Sequence, residues 1–125
     1  MTNHDNSLSR DERLRSFGAI RRLFKDGSGG FVYPLRYVLY AEPAAELAAS
    51  VLFSTPKKFH KRANRRNLLR RRMREAYRLN RELLTTSGKT GAVEMALIYS
   101  TKEVHDYKTI ENAVKRILQR VAQDL

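Results

Sequence analysis

Eleven lysines and arginines crowd into the twenty-two residues from Lys57 to Arg78, "KKFHKRANRRNLLRRRMREAYR", with Glu75 the one acid among them. Ammonium and guanidinium groups at that density grip phosphate, arginine as a flat fork and lysine as a point charge. The chemistry this offers is the binding of a polyanion. Side chains for bond-breaking chemistry are sparse by comparison. The histidines, His4, His60 and His105, are isolated in the sequence, there is no cysteine, and no pair of carboxylates has a spacing that suggests a two-metal nuclease site. His60, in the basic loop, reads as a nucleic-acid contact or a bystander and not as a general base. Glu75 reads as an intrahelical partner of Arg71 or Arg78 and not as a metal ligand.

The whole chain leans the same way. Its 125 residues carry a net charge of +12 with a pI near 10.5, and 42% are hydrophobic, enough to close the core of one small domain. The natural counterparts of such an excess are nucleic acid or an anionic membrane surface. Charge kept only for solubility would be scattered, and this charge is clustered. Lack of cysteine excludes disulfides and thiolate metal sites and favours an intracellular address. The first residues lack the apolar core of a signal peptide, and no run reaches membrane-spanning length. A soluble, cytoplasmic protein is expected.

The elements that must position the basic run follow from periodicity. Residues 1–9 are polar and expected to be disordered, leaving 10–125 as the domain. From about Arg10, Leu14, Phe17, Ile20, Leu23 and Phe24 recur at helical spacing, and Gly27 stands where a C-terminal cap belongs. A Gly-rich loop follows, with a short strand around Phe31 to Tyr33, then a main strand from Leu35 to Ala41. Pro43 marks a turn between Glu42 and Glu46, Leu47 to Ser54 is a second main strand, and Pro56 ends it. The basic stretch is predicted to be one long helix to about Leu84. "AVEMALIYS" is a buried strand, and "DYKTIENAVKRILQRVAQDL" is a closing amphipathic helix with Ile110, Val114, Ile117, Leu118 and Val121 on one side. The order α, two or three strands, α, β, α predicts an α+β fold, a single two-layer α/β sandwich of the split β-α-β type.

On the basic helix, about 100° per residue places Met73, Ala76, Tyr77, Leu83 and Leu84 on the same arc as Leu69, which must face a core. Asn67, Arg70, Arg71, Arg74, Arg78 and Arg81 fall on the opposite side. Solvated helix faces mix charge signs at i, i+4, whereas Arg70, Arg74 and Arg78 are like-charged neighbours at that spacing. The stripe opposes folding unless a polyanion neutralises it. A membrane role fits poorly, because the far face is needed by the core.

The stretch "KRANRRNLLRRRMREAYR" resembles the signature segment of the bacterial ribonuclease P protein component. Ala63, Arg66, Asn67, Leu69, Arg70, Arg71, Arg74, Glu75, Ala76, Tyr77 and Arg78 match its pattern. The upstream "STPKK", the "PLRYVLY" strand and the "MALIY" strand fall in the family's order, and the resemblance runs from about Leu14 to Asp124. One position departs: the family's third motif residue, an arginine, is Leu68 here, and Arg72, about 40° round the helix, is a candidate substitute.

The resemblance implies a subunit of an endoribonuclease whose catalysis belongs to a large RNA. That RNA, with bound Mg²⁺, removes the 5′ leader of precursor tRNA, and no cofactor is bound by protein side chains alone. It implies two RNA surfaces on a monomeric protein in a one-to-one ribonucleoprotein, with no membrane partner. A leader cleft between the basic helix and the sheet would use Phe24, Arg36, Tyr40, Arg66, Asn67, Arg70 and Arg74. The catalytic RNA would meet Lys57, Lys58, Lys61, Arg62, Arg65, Arg71, Arg72 and Arg78. Strand alternation puts Arg36, Val38 and Tyr40 on one face and Leu35, Tyr37 and Leu39 on the other, and the first set is the expected wet, base-facing surface. Tyr40 and Phe24 could equally be core aromatics. The competing readings are a non-catalytic RNA-binding or ribosome-associated assembly protein, and a major-groove DNA binder, which a helix with one face buried and no dimer zipper fits poorly.

Overall fold

The computed structural model describes Arg13 and residues 16–125; the polar N-terminal residues and Leu14 lie outside the described part. The chain forms α1 (Phe17–Asp26), β1 (Ser28–Val32), β2 (Leu35–Glu42), β3 (Leu47–Ser54), α2 (Ala63–Asn80), α3 (Glu82–Thr85), β4 (Gly91–Tyr99) and α4 (Tyr107–Asp124). One four-stranded sheet runs in the order β1-β2-β4-β3, with β3 parallel to β4 and the other pairs antiparallel. β3 and β4 are immediate neighbours, so the β-α-β unit closes without the intervening strand that a split arrangement would have.

Local chemistry accounts for the boundaries. Ser16 starts α1, its hydroxyl accepting from the Ala19 N–H at 3.4 Å, and Asp106 starts α4, its carboxylate accepting from the Thr109 N–H at 2.9 Å. Gly27 ends α1 as expected, but its φ of −76° is not left-handed. What requires glycine is close approach: a Cβ there would lie 2.4 Å from the Leu23 carbonyl oxygen and 2.8 Å from that of Leu39. The long basic helix is two pieces. Asn80 turns its side-chain amide back to the Ala76 carbonyl and across to Glu111 of α4, and α3 restarts after Arg81.

The core has two parts. Leu35, Tyr37, Leu39, Val51, Val93, Met95, Leu97 and Tyr99 face Leu69, Met73, Ala76 and Tyr77 of α2, Leu84 of α3, and the apolar side of α4. The alternate residues of the central strands, Val38 and Ala96, cluster instead with Leu23 and with Ala19 and Ile20 of α1. So α1 lies on the reverse face of the sheet, a partial third layer beyond the two expected. This changes the expected wet face of β2: Val38 is buried beneath α1, Tyr40 is half-buried beside it, and only Arg36 stands exposed.

Candidate nucleic-acid interface

α2 presents two flanks around its buried line of Leu69, Met73, Ala76 and Tyr77. One overlooks β3, which stands at the end of the strand order β1-β2-β4-β3. There Arg70 and Arg74 share a groove of about 180 Å³ with Val51, Phe53 and Arg13, and Arg13 forms a parallel bridge to Val51. Phe53 is half-buried and meets Tyr77 edge to face at 6.0 Å. Arg70 is held in place, donating to the Asn67 side chain and to the Thr55 hydroxyl, both at 3.0 Å. A second depression, on the outer side of α2, is lined by Asn64, Asn67, Leu68 and Arg71 and shares Arg70 and Arg74 with the first.

The arginines of the motif therefore divide by what already holds them. Arg66 donates to the carbonyls of His60 and Lys61, at 3.2 and 2.6 Å, and closes the loop before α2. Arg72 turns away from the stripe and donates to the His105 carbonyl, tying α2 to the loop before α4. Its expected role, a substitute at the Leu68 position, meets a guanidinium already committed elsewhere. Arg78 pairs with Glu75, as expected for that carboxylate. Arg71 and Arg74 are exposed and have no hydrogen-bond or ion-pair partner among the described residues, and Arg62, Arg65, Lys57, Lys58 and Lys61 are exposed in the loop and first turn. Like charges held this close without counter-ions raise the local potential and favour a bound polyanion.

His60 is 4% exposed, its ring nitrogen bonds the Thr101 carbonyl at 2.8 Å, and it packs on Tyr99. Of the two readings offered for it, the bystander describes this buried contact. Among the described residues no group of three or more His, Cys, Asp or Glu could hold a metal ion, and no helix is long and apolar enough to cross a membrane.

Arg36 and Tyr40 are not brought together with the α2 arginines. They sit on the face that α1 covers in part, and the ring of Tyr40 already carries Arg22, whose guanidinium lies 5.1 Å from its centroid. Arg22 in turn donates to Glu94 at 2.7 Å, and the Tyr40 hydroxyl donates to Glu42, which together with burial raises the phenol's pKa. Asp26 and Asp124 line a depression beside Tyr40, so this end of the sheet is acidic. Phe24 is exposed on α1, about 100° round from the buried Leu23 and on the side away from Arg22. The sequence reading missed Arg13 and Phe53. The alternation of β3 put Phe53 on the same face as Val51, which was a usable signal; the bridge from Arg13 had none.

Comparison with known proteins agrees along most of the chain. The sequence model of the ribonuclease P family matches residues 8–122. The ribonuclease P protein component of Porphyromonas gingivalis strain ATCC 33277 is 38% identical over 119 residues, covering 92% of this chain and 86% of that protein. That of Chlorobaculum tepidum is 40% identical over 88 residues, 64% of this chain and 54% of the relative. Among solved structures, the RNase P protein from Thermotoga maritima superposes with a TM-score of 0.69 at 24% identity, over 87% of this chain and 96% of that one. The Staphylococcus aureus RNase P protein gives 0.67 at 15% identity, over 88% and 94%.

Proposed function

The chain belongs to the bacterial ribonuclease P protein family, a subunit of that tRNA-processing endoribonuclease and a partner of its RNA, and we propose that it holds the catalytic RNA on the outer face of α2 and the 5′ leader of precursor tRNA along the groove beside β3. The observation that carries this reading is that the motif lines two adjoining depressions. Arg70 and Arg74 line both, Arg13 and Phe53 join them only on the β3 side, and Arg71 joins them only on the outer side. A single strand needs a charged track with a flat ring beside it, and Phe53 is the ring that the groove offers. Phe24, Arg36 and Tyr40, on the reverse face, would touch the leader only where it continues past α1.

In this reading the protein positions and the RNA cuts. Mg²⁺ would be held by the RNA and not by side chains of this protein, and would supply there the activation of water and the neutralisation of developing charge. The described residues offer no acidic cluster to take that ion. Their contribution is to neutralise leader phosphates and to fix the leader's direction relative to the RNA. One protein copy per RNA, acting in the cytoplasm, completes the proposal.

Reconstitution tests it. The purified chain alone should leave precursor tRNA intact, and addition of ribonuclease P RNA with Mg²⁺ at low salt should give a single cut at the mature 5′ end, faster than the RNA alone. Cutting by protein rigorously freed of RNA, or no stimulation of the RNA, contradicts it.

A further inference from the structure

The edge of the sheet farthest from the β3 groove carries an arrangement that α2 does not use and that shares only Arg36 with the proposed path of the leader past α1. Phe31 and Tyr33, at the end of β1 and the turn after it, are 51% and 50% exposed, although such rings are ordinarily buried. They stand edge to face at 6.2 Å, and Tyr33 meets the His105 ring at 5.2 Å and 86°. These rings are held in place: the Tyr33 hydroxyl donates to Glu103 at 2.6 Å and lies 3.1 Å from His105 Nε2. Cations flank them. Arg36 is the cross-strand partner of Phe31 and is exposed, Arg120 of α4 reaches the Phe31 carbonyl, and Lys102 is exposed on the adjoining loop.

We propose that this edge is a second RNA site, where unpaired nucleobases stack on Phe31 and Tyr33 while Arg36, Lys102 and Arg120 meet the adjoining phosphates. A base offers a flat face to either ring, and stacking of this kind tolerates any sequence. Charge selects RNA over a protein partner. The nearby acids are Glu103, already accepting from Tyr33, and Asp106, occupied in capping α4, whereas Asp26, Glu42 and Asp124 gather at the opposite end of β2. The site is also joined to the basic loop. His60 bonds Thr101 and Arg72 bonds the His105 carbonyl, so the loop carrying His105 is fastened to the basic loop and to the middle of α2. RNA lying over Lys57, Lys58 and Lys61 has a short path to the rings.

The proposal rests on RNA binding by α2, and the test separates the two. The chain contains no tryptophan, so Phe31→Trp introduces a single indole at the site. The full-length variant is titrated with an oligouridylate of about 12 nucleotides, with a blunt duplex of the same length, and with ribonuclease P RNA, while anisotropy of labelled RNA reports binding independently. Stacking predicts strong quenching that saturates with the single strand or with ribonuclease P RNA, and much weaker quenching with the duplex. Phe31→Ala should weaken that binding by about 5- to 100-fold without changing its salt dependence, at an unaltered melting temperature. Emission unchanged while anisotropy shows both single-stranded ligands bound overturns this site and leaves binding by α2 standing. Absence of binding to any RNA overturns both. A wild-type dimer that Phe31→Ala dissolves assigns the edge to a second copy and overturns it as well.

Discussion

Within the basic motif, neighbouring arginines do different work, and stability measurements should separate them. Arg66 and Arg72 spend their donors on main-chain carbonyls, and buried His60 bonds Thr101. Removing a partner of this kind leaves a buried polar group unpaired, so His60→Ala and Arg72→Ala should each cost about 1–3 kcal/mol in urea unfolding. Arg71→Ala, with no internal partner to lose among the described residues, should stay within about 0.5 kcal/mol of wild type. The sequence shows that these positions are basic; it does not show which are anchors, because their acceptors are backbone oxygens of residues whose place only the fold decides. Phe53 and Tyr40 are a second contrast. Phe53→Leu keeps apolar bulk and removes the flat ring, so leader affinity should fall by about 1–3 kcal/mol with the salt slope intact. Tyr40→Phe loses its bond to Glu42 and should leave leader binding unchanged. Fluorescence titration with labelled leader RNA checks both.

The elements were legible where a strong period met a clear stop. β3 runs from Leu47 to Ser54 as read, and the Leu69, Met73, Ala76 and Tyr77 line of α2 is buried as its spacing required. Two features were not legible. The break at Asn80 depends on Glu111, which reaches it only after α4 has folded back. The cover over Val38 depends on which face α1 takes, and an amphipathic helix packs equally well on either side of a sheet with apolar residues on both. α4 adds a pH dependence. Asp106 is lowered in pKa chiefly by the Thr109 side-chain and backbone bonds, and Glu111 chiefly by its bond from Asn80. Carboxylates depressed in the folded state stabilise it fully above their unfolded pKa, and that contribution is lost as pH falls through the folded value. Thermal melts should hold steady from neutral pH down to about 5 and decline below 4, and Asp106→Asn, which keeps a cap oxygen, should flatten the decline.

At the scale of the molecule, the net charge of +12 is distributed along a direction. Cations occupy the start of α2, its two flanks and the loop end of the sheet, while Asp26, Glu42 and Asp124 take the other end. Composition announced a polyanion partner and the motif announced its family, but neither assigns the RNA contacts proposed here to the β3 edge or to the outer face of α2. Binding of a single-stranded leader should weaken log-linearly with salt, and each groove arginine removed should flatten the slope by about 0.7.

The most direct test of two surfaces compares precursor and mature tRNA on the reconstituted holoenzyme, with protein in excess so that assembly is complete. Arg74→Ala should raise the dissociation constant for precursor tRNA by about tenfold and leave that for mature tRNA unchanged, because only the precursor has a leader to lay in the groove. Arg71→Ala should weaken assembly with ribonuclease P RNA instead, and once assembled should bind both tRNAs as wild type does. Equal losses on the two tRNAs for Arg74→Ala, or no loss on either, would contradict the account.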